Sequence, residues 1–162
     1  MATGRRSGVD LVTQELRDMI GQEWPSVIYE VDRTGIRMWA RAVGIDDPVY
    51  HDEAVARERG YERLPAPPGF LGIPRVSAGG VEPGPPIRGL HPDLPRSLNG
   101  GTEFELTTPV LAGDELVATS AIVDIVERMS GSIGPMLLIT RETKFDRDGE
   151  TVALMRATVI NY

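Results

Sequence analysis

From residue 102 to residue 160 the chain is written largely in a two-residue rhythm. Thr102, Glu103, Phe104, Glu105, Leu106 and Thr107 alternate polar with apolar, and much of 115–127 does the same. Residues 135–145 and 151–160 read as two further long strands. Side chains on a strand point to opposite faces in turn, so the rhythm gives each strand one buried face and one wet face. Asp146-Arg147-Asp148-Gly149 joins the last two strands, and Asp-Gly between such runs is a strong hairpin signal. Residues 107–114, with Pro109 and Gly113, read as another turn between strands.

The first half is built differently. Asp10 can cap a helix reaching about Ile20, with Leu11, Leu16, Met19 and Ile20 apolar and Gly21 suited to its end. Trp24-Pro25 breaks the chain, and 27–31 (Val-Ile-Tyr-Glu-Val) reads as a strand. A second helix follows Asp32, with Ile36, Trp39, Ala40 and Val43 spaced along one buried face, and it stops at Gly44. Asp52 to about Arg59 predicts a short helix closed by Gly60. A mostly apolar helix can start near Pro68, carries no charge before Arg75, and is kinked or ended by Pro74. Residues 79–97, with Pro83, Pro85, Pro86, Pro92 and Pro95, read as a long loop, more often a lid, an interface arm or disorder than a simple connector. Helices early and antiparallel strands late argue for an α+β domain, in which a long antiparallel sheet wraps one central apolar helix.

At 162 residues the chain is expected to form one domain over 10–162, able to bury roughly 70% of its unfolded surface. Residues 1–9 are polar, lack an apolar signal core and read as a disordered tail. The absence of Cys excludes disulfides and thiolate catalysis and is compatible with a cytoplasmic location. Two histidines, His51 and His91, argue against a metal centre. A net charge of −7 disfavours nucleic acid as a partner, and no apolar run is long enough to span a membrane.

The segment with most chemistry is Gly44-Ile45-Asp46-Asp47-Pro48-Val49-Tyr50-His51-Asp52-Glu53, which gathers carboxylates, a phenol and an imidazole about a fixed proline bend. It resembles the hydratase motif of MaoC-like dehydratases, Gly-Asp-x-Asn-Pro-x-His. Two further segments carry the resemblance. They are Leu64-Pro65-Ala66-Pro67-Pro68-Gly69-Phe70-Leu71, and Leu98-Asn99-Gly100-Gly101-Thr102-Glu103-Phe104-Glu105 followed by Pro109-Val110-Leu111-Ala112-Gly113-Asp114. Together they are similar to the N-terminal-type domain of that family, and to the substrate-binding subunit of (3R)-hydroxyacyl-carrier-protein dehydratases. The resemblance implies a hot-dog fold and reversible hydration of a trans-2-enoyl thioester. It implies no cofactor, the acyl-CoA or acyl-carrier-protein thioester being the substrate.

Hydration needs a base for water, an acid for the α-carbon, and N–H donors where enolate charge develops. Aligned on Pro48, Ile45 occupies the position of the family Asp and Tyr50 that of the family His, with His51 one residue late. Ile45 cannot move a proton. His51 and Tyr50 could replace the dyad with Asp46 or Asp47 orienting the imidazole, or Tyr50 could fill the core while His51 caps a helix or faces solvent. Asp47 also suits stabilisation of its own turn. Asp47, Pro68, Gly69 and Phe70 are candidates for substrate binding, the last two through backbone N–H groups at the thioester carbonyl, or Pro68, Gly69 and Phe70 serve only the core. Arg75, Arg88 and Arg96 are candidates for coenzyme A or phosphopantetheine phosphates, or ordinary solvated charge. His91 reads as a surface loop residue, and Asn99 and Asp114 as boundary residues with local roles.

Three functions remain open on this reading. One is a substrate-binding half paired with a second hot-dog chain that carries an intact Asp/His dyad. Another is an active homo-oligomeric hydratase using His51. The third is a non-enzymatic module that binds an acyl thioester or a partner.

Overall fold

The computed structural model describes residues 11–72 and 84–162. Five strands form one antiparallel sheet: β1 (Val27–Glu30), β2 (Ser97–Leu106), β3 (Glu115–Ser130), β4 (Gly134–Arg147) and β5 (Glu150–Asn161), ordered β1-β3-β4-β5-β2. Among the described residues three α-helices precede the long strands: α1 (Gln14–Asp18), α2 (Arg33–Ala42) and α3 (Glu53–Glu58). The architecture is the α+β arrangement the strand rhythm predicts. Asp148 and Gly149 form the β4–β5 turn with φ of 53° and 84°, the positive pair that a tight hairpin matched to strand twist requires. Along β3, Leu116, Ala118, Ser120 and Ile122 face inward, and a register shift between Ile122 and Asp124 brings Ile125 back onto the same face.

α2 begins where the Asp32 side chain accepts the Gly35 N–H, and it buries Ile36 and Ala40 completely, with Trp39 half-buried. Val43 is not part of that buried face. It is the C-terminal cap residue and 47% exposed, because the chain turns away at Gly44, whose φ is 75°. α1 is shorter than expected and is capped by Thr13, whose side chain accepts the Leu16 N–H; Asp10 lies outside the described residues. Ile20 leaves the helix because the sheet claims this segment: it bridges Ile122, and the Gly21 and Trp24 amides donate to the Ile122 and Ser120 carbonyls.

From Pro68 onward the described residues hold one short 3-10 turn, Phe70–Gly72; the continuation with Pro74 and Arg75 lies outside them, as does the expected tail. β2 starts at Ser97, earlier than the alternation at 102–107 suggests. Two long-range clasps fix that start. Arg96 and Tyr162 exchange backbone hydrogen bonds of 3.1 and 2.9 Å. Asn161, wholly buried, donates to the Ile87 carbonyl and accepts from the Gly89 N–H and the Ser97 hydroxyl. Asn99 therefore lies inside a strand, at a register shift. His91 is buried rather than on the surface, its Nδ1 accepting the Asp93 N–H at 3.2 Å.

The core has two parts. Beneath α2, Tyr29, Ile36, Leu64, Phe70, Leu116 and Phe145 pack together, Tyr29 meeting Phe70 and Phe145 edge-on with ring centres 6.4 and 5.6 Å apart. The second cluster joins Leu11, Leu16, Ile87, Leu94, Ile122, Ile139 and Val159. No helix among the described residues is long and apolar enough to cross a membrane.

Candidate functional site

α2 ends with the Ile45 N–H bonded to the Ala40 carbonyl, and the chain then enters a 3-10 turn over Pro48–Tyr50. Asp47 caps that turn: Oδ1 accepts the Val49 N–H at 3.1 Å and Oδ2 accepts Arg59 Nη1 at 2.8 Å. The Arg59 hydrogen bond first, then the Val49 amide, holds its carboxyl below the usual range. Its carboxylate is committed to the turn and to Arg59.

His51 is held by a residue the sequence does not suggest. Its Nε2 lies 2.9 Å from the Ile45 carbonyl oxygen. A carbonyl only accepts, so Nε2 carries the proton of that bond and Nδ1 is the nitrogen left for other partners. The His51 carbonyl is held in turn by Arg37 Nε at 3.0 Å. Asp46 is exposed and makes no hydrogen bond or ion pair among the described residues. The turn thus brings the candidate residues close in sequence without making a carboxylate–imidazole dyad. The imidazole closes back on the backbone of Ile45.

Tyr50 serves a different surface. With Tyr61, Pro65, Ala66, Pro68 and Leu106 it lines an open cleft of about 290 Å³ completed by residues 107–110. Burial, reinforced by the Tyr61 phenol and the Asp47 carboxylate, pushes the Tyr50 phenol above its ordinary value. Among the described residues no charged side chain lines the cleft. Pro68 forms part of its wall, and its carbonyl accepts the Trp39 indole N–H at 3.4 Å. Gly69, at a φ of 81°, sits against that indole, where an added Cβ would lie 3.4 Å from Trp39 Cζ2. Its N–H has no partner among the described residues. The Phe70 amide, by contrast, donates to the Pro67 carbonyl at 3.1 Å and its ring is in the core. Of the two backbone donors, the Phe70 amide is the one with a partner among the described residues.

Arg88 and Arg96 are exposed and far from this cleft. Arg96 adjoins the Ser97–Asn161 end of β2, whereas Leu106 of the cleft pairs with Ala153 at the other end. A strand of ten residues separates them by roughly 30 Å. Arg75 lies outside the described residues.

The sequence reading missed Tyr61, although an apolar residue just after a helix-closing glycine often packs back on its helix. It also underread Asp114. That carboxylate is 2% exposed, accepts the Leu111 N–H, and binds Arg63 and Arg147 at 2.7 Å each. Burial alone would raise it; the Leu111 amide, Arg147 and Arg63 outweigh that and hold it below the ordinary range. Arg63 also reaches the Ala112 carbonyl and Arg147 that of Pro109, so the knot fastens the turn into β3. As a whole the arrangement suits binding: a partly apolar cleft lined by two phenols, with no charged side chain among its described lining residues.

A family model for the FAS1-like dehydratase domain region matches residues 18–155. A UPF0336 protein of Streptomyces avermitilis is 36% identical over 137 residues, covering 84% of this chain and 87% of the relative. Among solved structures, the ChsH1-ChsH2 complex from Mycobacterium tuberculosis matches with a TM-score of 0.73 at 22% identity, over 86% of this chain and 88% of that one. A C-terminally truncated HadBC (3R)-hydroxyacyl-ACP dehydratase complex from the same organism matches with a TM-score of 0.65 at 26% identity, over 88% and 97%.

Proposed function

The chain belongs to the FAS1-like dehydratase family and has the hot-dog fold of MaoC-like dehydratases, and from that premise we propose that it is the substrate-binding half of an (R)-specific enoyl-thioester hydratase or 3-hydroxyacyl-thioester dehydratase. One observation carries the reading. By the motif it resembles, Ile45 takes the position of the family Asp, and its carbonyl takes the His51 Nε2–H, so the described residues offer no carboxylate–imidazole pair. A second hot-dog chain supplies the base that activates water and the acid that protonates the α-carbon. The two-chain ChsH1-ChsH2 and HadBC assemblies support such a partner.

On this reading Tyr50 and Pro68 shape one wall of the acyl cleft, and the Gly69 N–H meets the thioester oxygen as enolate charge develops. Antiparallel pairing across β2 would set the Arg96 end of this chain toward the cleft end of its partner. Arg88 and Arg96 would then meet phosphates of the carrier bound there, rather than at this chain's own cleft.

The test is hydration of a short and a long trans-2-enoyl-CoA by the purified chain alone, with its fold checked by circular dichroism. The expected result is no turnover above background. Turnover abolished by His51→Ala would replace the reading with an active homo-oligomeric hydratase. Ile45→Asp is expected to leave the lone chain inactive, because His51 is also one residue out of register. A large rate gain from that one change would end the two-chain proposal.

A further inference from the structure

β2 is the outermost strand of the sheet on its β5 side, and of its ten residues only Ser97 and Phe104 are half-buried, the rest exposed. An open edge is a row of unpaired amides and carbonyls that invites another strand, and folded proteins cover it or charge it. The opposite edge, β1, is only four residues long. β2 carries Glu103 and Glu105, and Glu103 lies directly across from Arg156 of β5. Arg156 binds Glu142 of β4 at 2.7 Å and reaches Glu105 at only 3.9 Å. The cation is therefore held inboard, and the free edge presents carboxylates. Toward its start the edge is interrupted: the register shifts between Asn99 and Gly101, and Asn99 Oδ1 accepts the Gly101 N–H at 3.2 Å. Residues 102–106 remain as the regular stretch open to another strand.

A second copy of the chain fits this edge poorly. Two-fold antiparallel pairing about position 104 sets each Glu103 against Glu105 of the other copy. Pairing about 103 or 105 sets a glutamate against its own mate. Like charges directly opposite destabilise a strand pair. We infer that β2 selects against self-pairing through Glu103 and Glu105, and receives a hot-dog chain whose edge strand presents Lys or Arg opposite them. This rests on the two-chain reading above and gives the partner's edge its chemistry.

Sedimentation of the full chain at low ionic strength tests it, using the wild type, E103Q/E105Q, E103K/E105K, and an equimolar mixture of wild type with E103K/E105K. The wild type and E103K/E105K, each with like charges opposed, are both expected to self-associate poorly, and E103Q/E105Q about tenfold more tightly than the wild type. The mixture is expected to form dimers at least as tight as those of E103Q/E105Q, with the gain fading at about 0.5 M salt. Wild type dimerising as tightly as E103Q/E105Q overturns the inference, and so does a mixture that associates no better than wild type alone. Melting curves check that each variant folds, and Glu103→Gln alone, which leaves Glu105 beside Arg156, replaces the double variant if that one does not. Turnover by the lone chain would end the proposed role without touching this result. A tight wild-type dimer would end the inference even if the chain were inactive.

Discussion

Asp47 and Asp114 are built from the same parts and hold the chain to very different degrees. Each sits at a turn, accepts a nearby backbone N–H and binds arginine. Asp114 is closed off from water and clasped by two guanidiniums from distant parts of the chain, whereas Asp47 and its partner Arg59 are both largely open to solvent. An ion pair in water contributes little, but removing one member of a buried set leaves the others uncompensated. The turn into β3 is thus an anchor, while the turn that carries the hydratase-like residues is lightly held. Side chains in the second turn can change at small cost to the fold.

The contrast can be broken most directly at Asp114. Asp114→Ala is expected to destabilise the chain by about 2–3 kcal/mol in denaturant titration, below the full buried-pair cost because both arginine heads reach solvent. A loss no larger than that of Asp47→Ala would erase the distinction. Acid offers the next lever. A carboxyl whose pKa is lowered on folding adds stability above its unfolded value near 3.9 and loses it as pH falls through the folded value. Stability should therefore fall steeply below about pH 4, and the Asp114→Ala chain should show a flatter acid limb. His51→Ala removes the bond to the Ile45 carbonyl and should cost about 1 kcal/mol in the same titration. It should leave turnover of the partnered complex unchanged, and lost turnover would mean that the imidazole reaches substrate. Asp47→Asn should give the smallest change in melting temperature of the set, since Asn keeps an acceptor for the Val49 amide.

What could be read from sequence was local. Asp148-Gly149 names its own turn, Asp32 names the start of α2, and Gly44 and Gly60 mark the ends of α2 and α3. Errors came where distant contacts decide. Ile20 looks helical by composition, but the carbonyls of β3 draw its segment into extended bridges. Proline content extends the loop to residue 97, but Asn161 and Tyr162 hold its end in the sheet. The candidate turn stands out in the sequence as a departure from the motif it resembles, with Ile45 at the Asp position. That the Ile45 carbonyl would capture His51 was not legible, because a backbone acceptor has no residue identity. Tyr61 and the Arg63–Asp114–Arg147 knot depend on contacts across the fold that no spacing announces.

The clasp made by Asn161 also sets an order of events during synthesis. The segment around Ile87, Gly89 and Ser97 leaves the ribosome well before the residue that fastens it, the separations being 74, 72 and 64 positions. β1 likewise waits for β3. A nascent chain stopped before β5 would leave β2 without its partner strand. The sheet is complete only once β5 lies between β4 and β2.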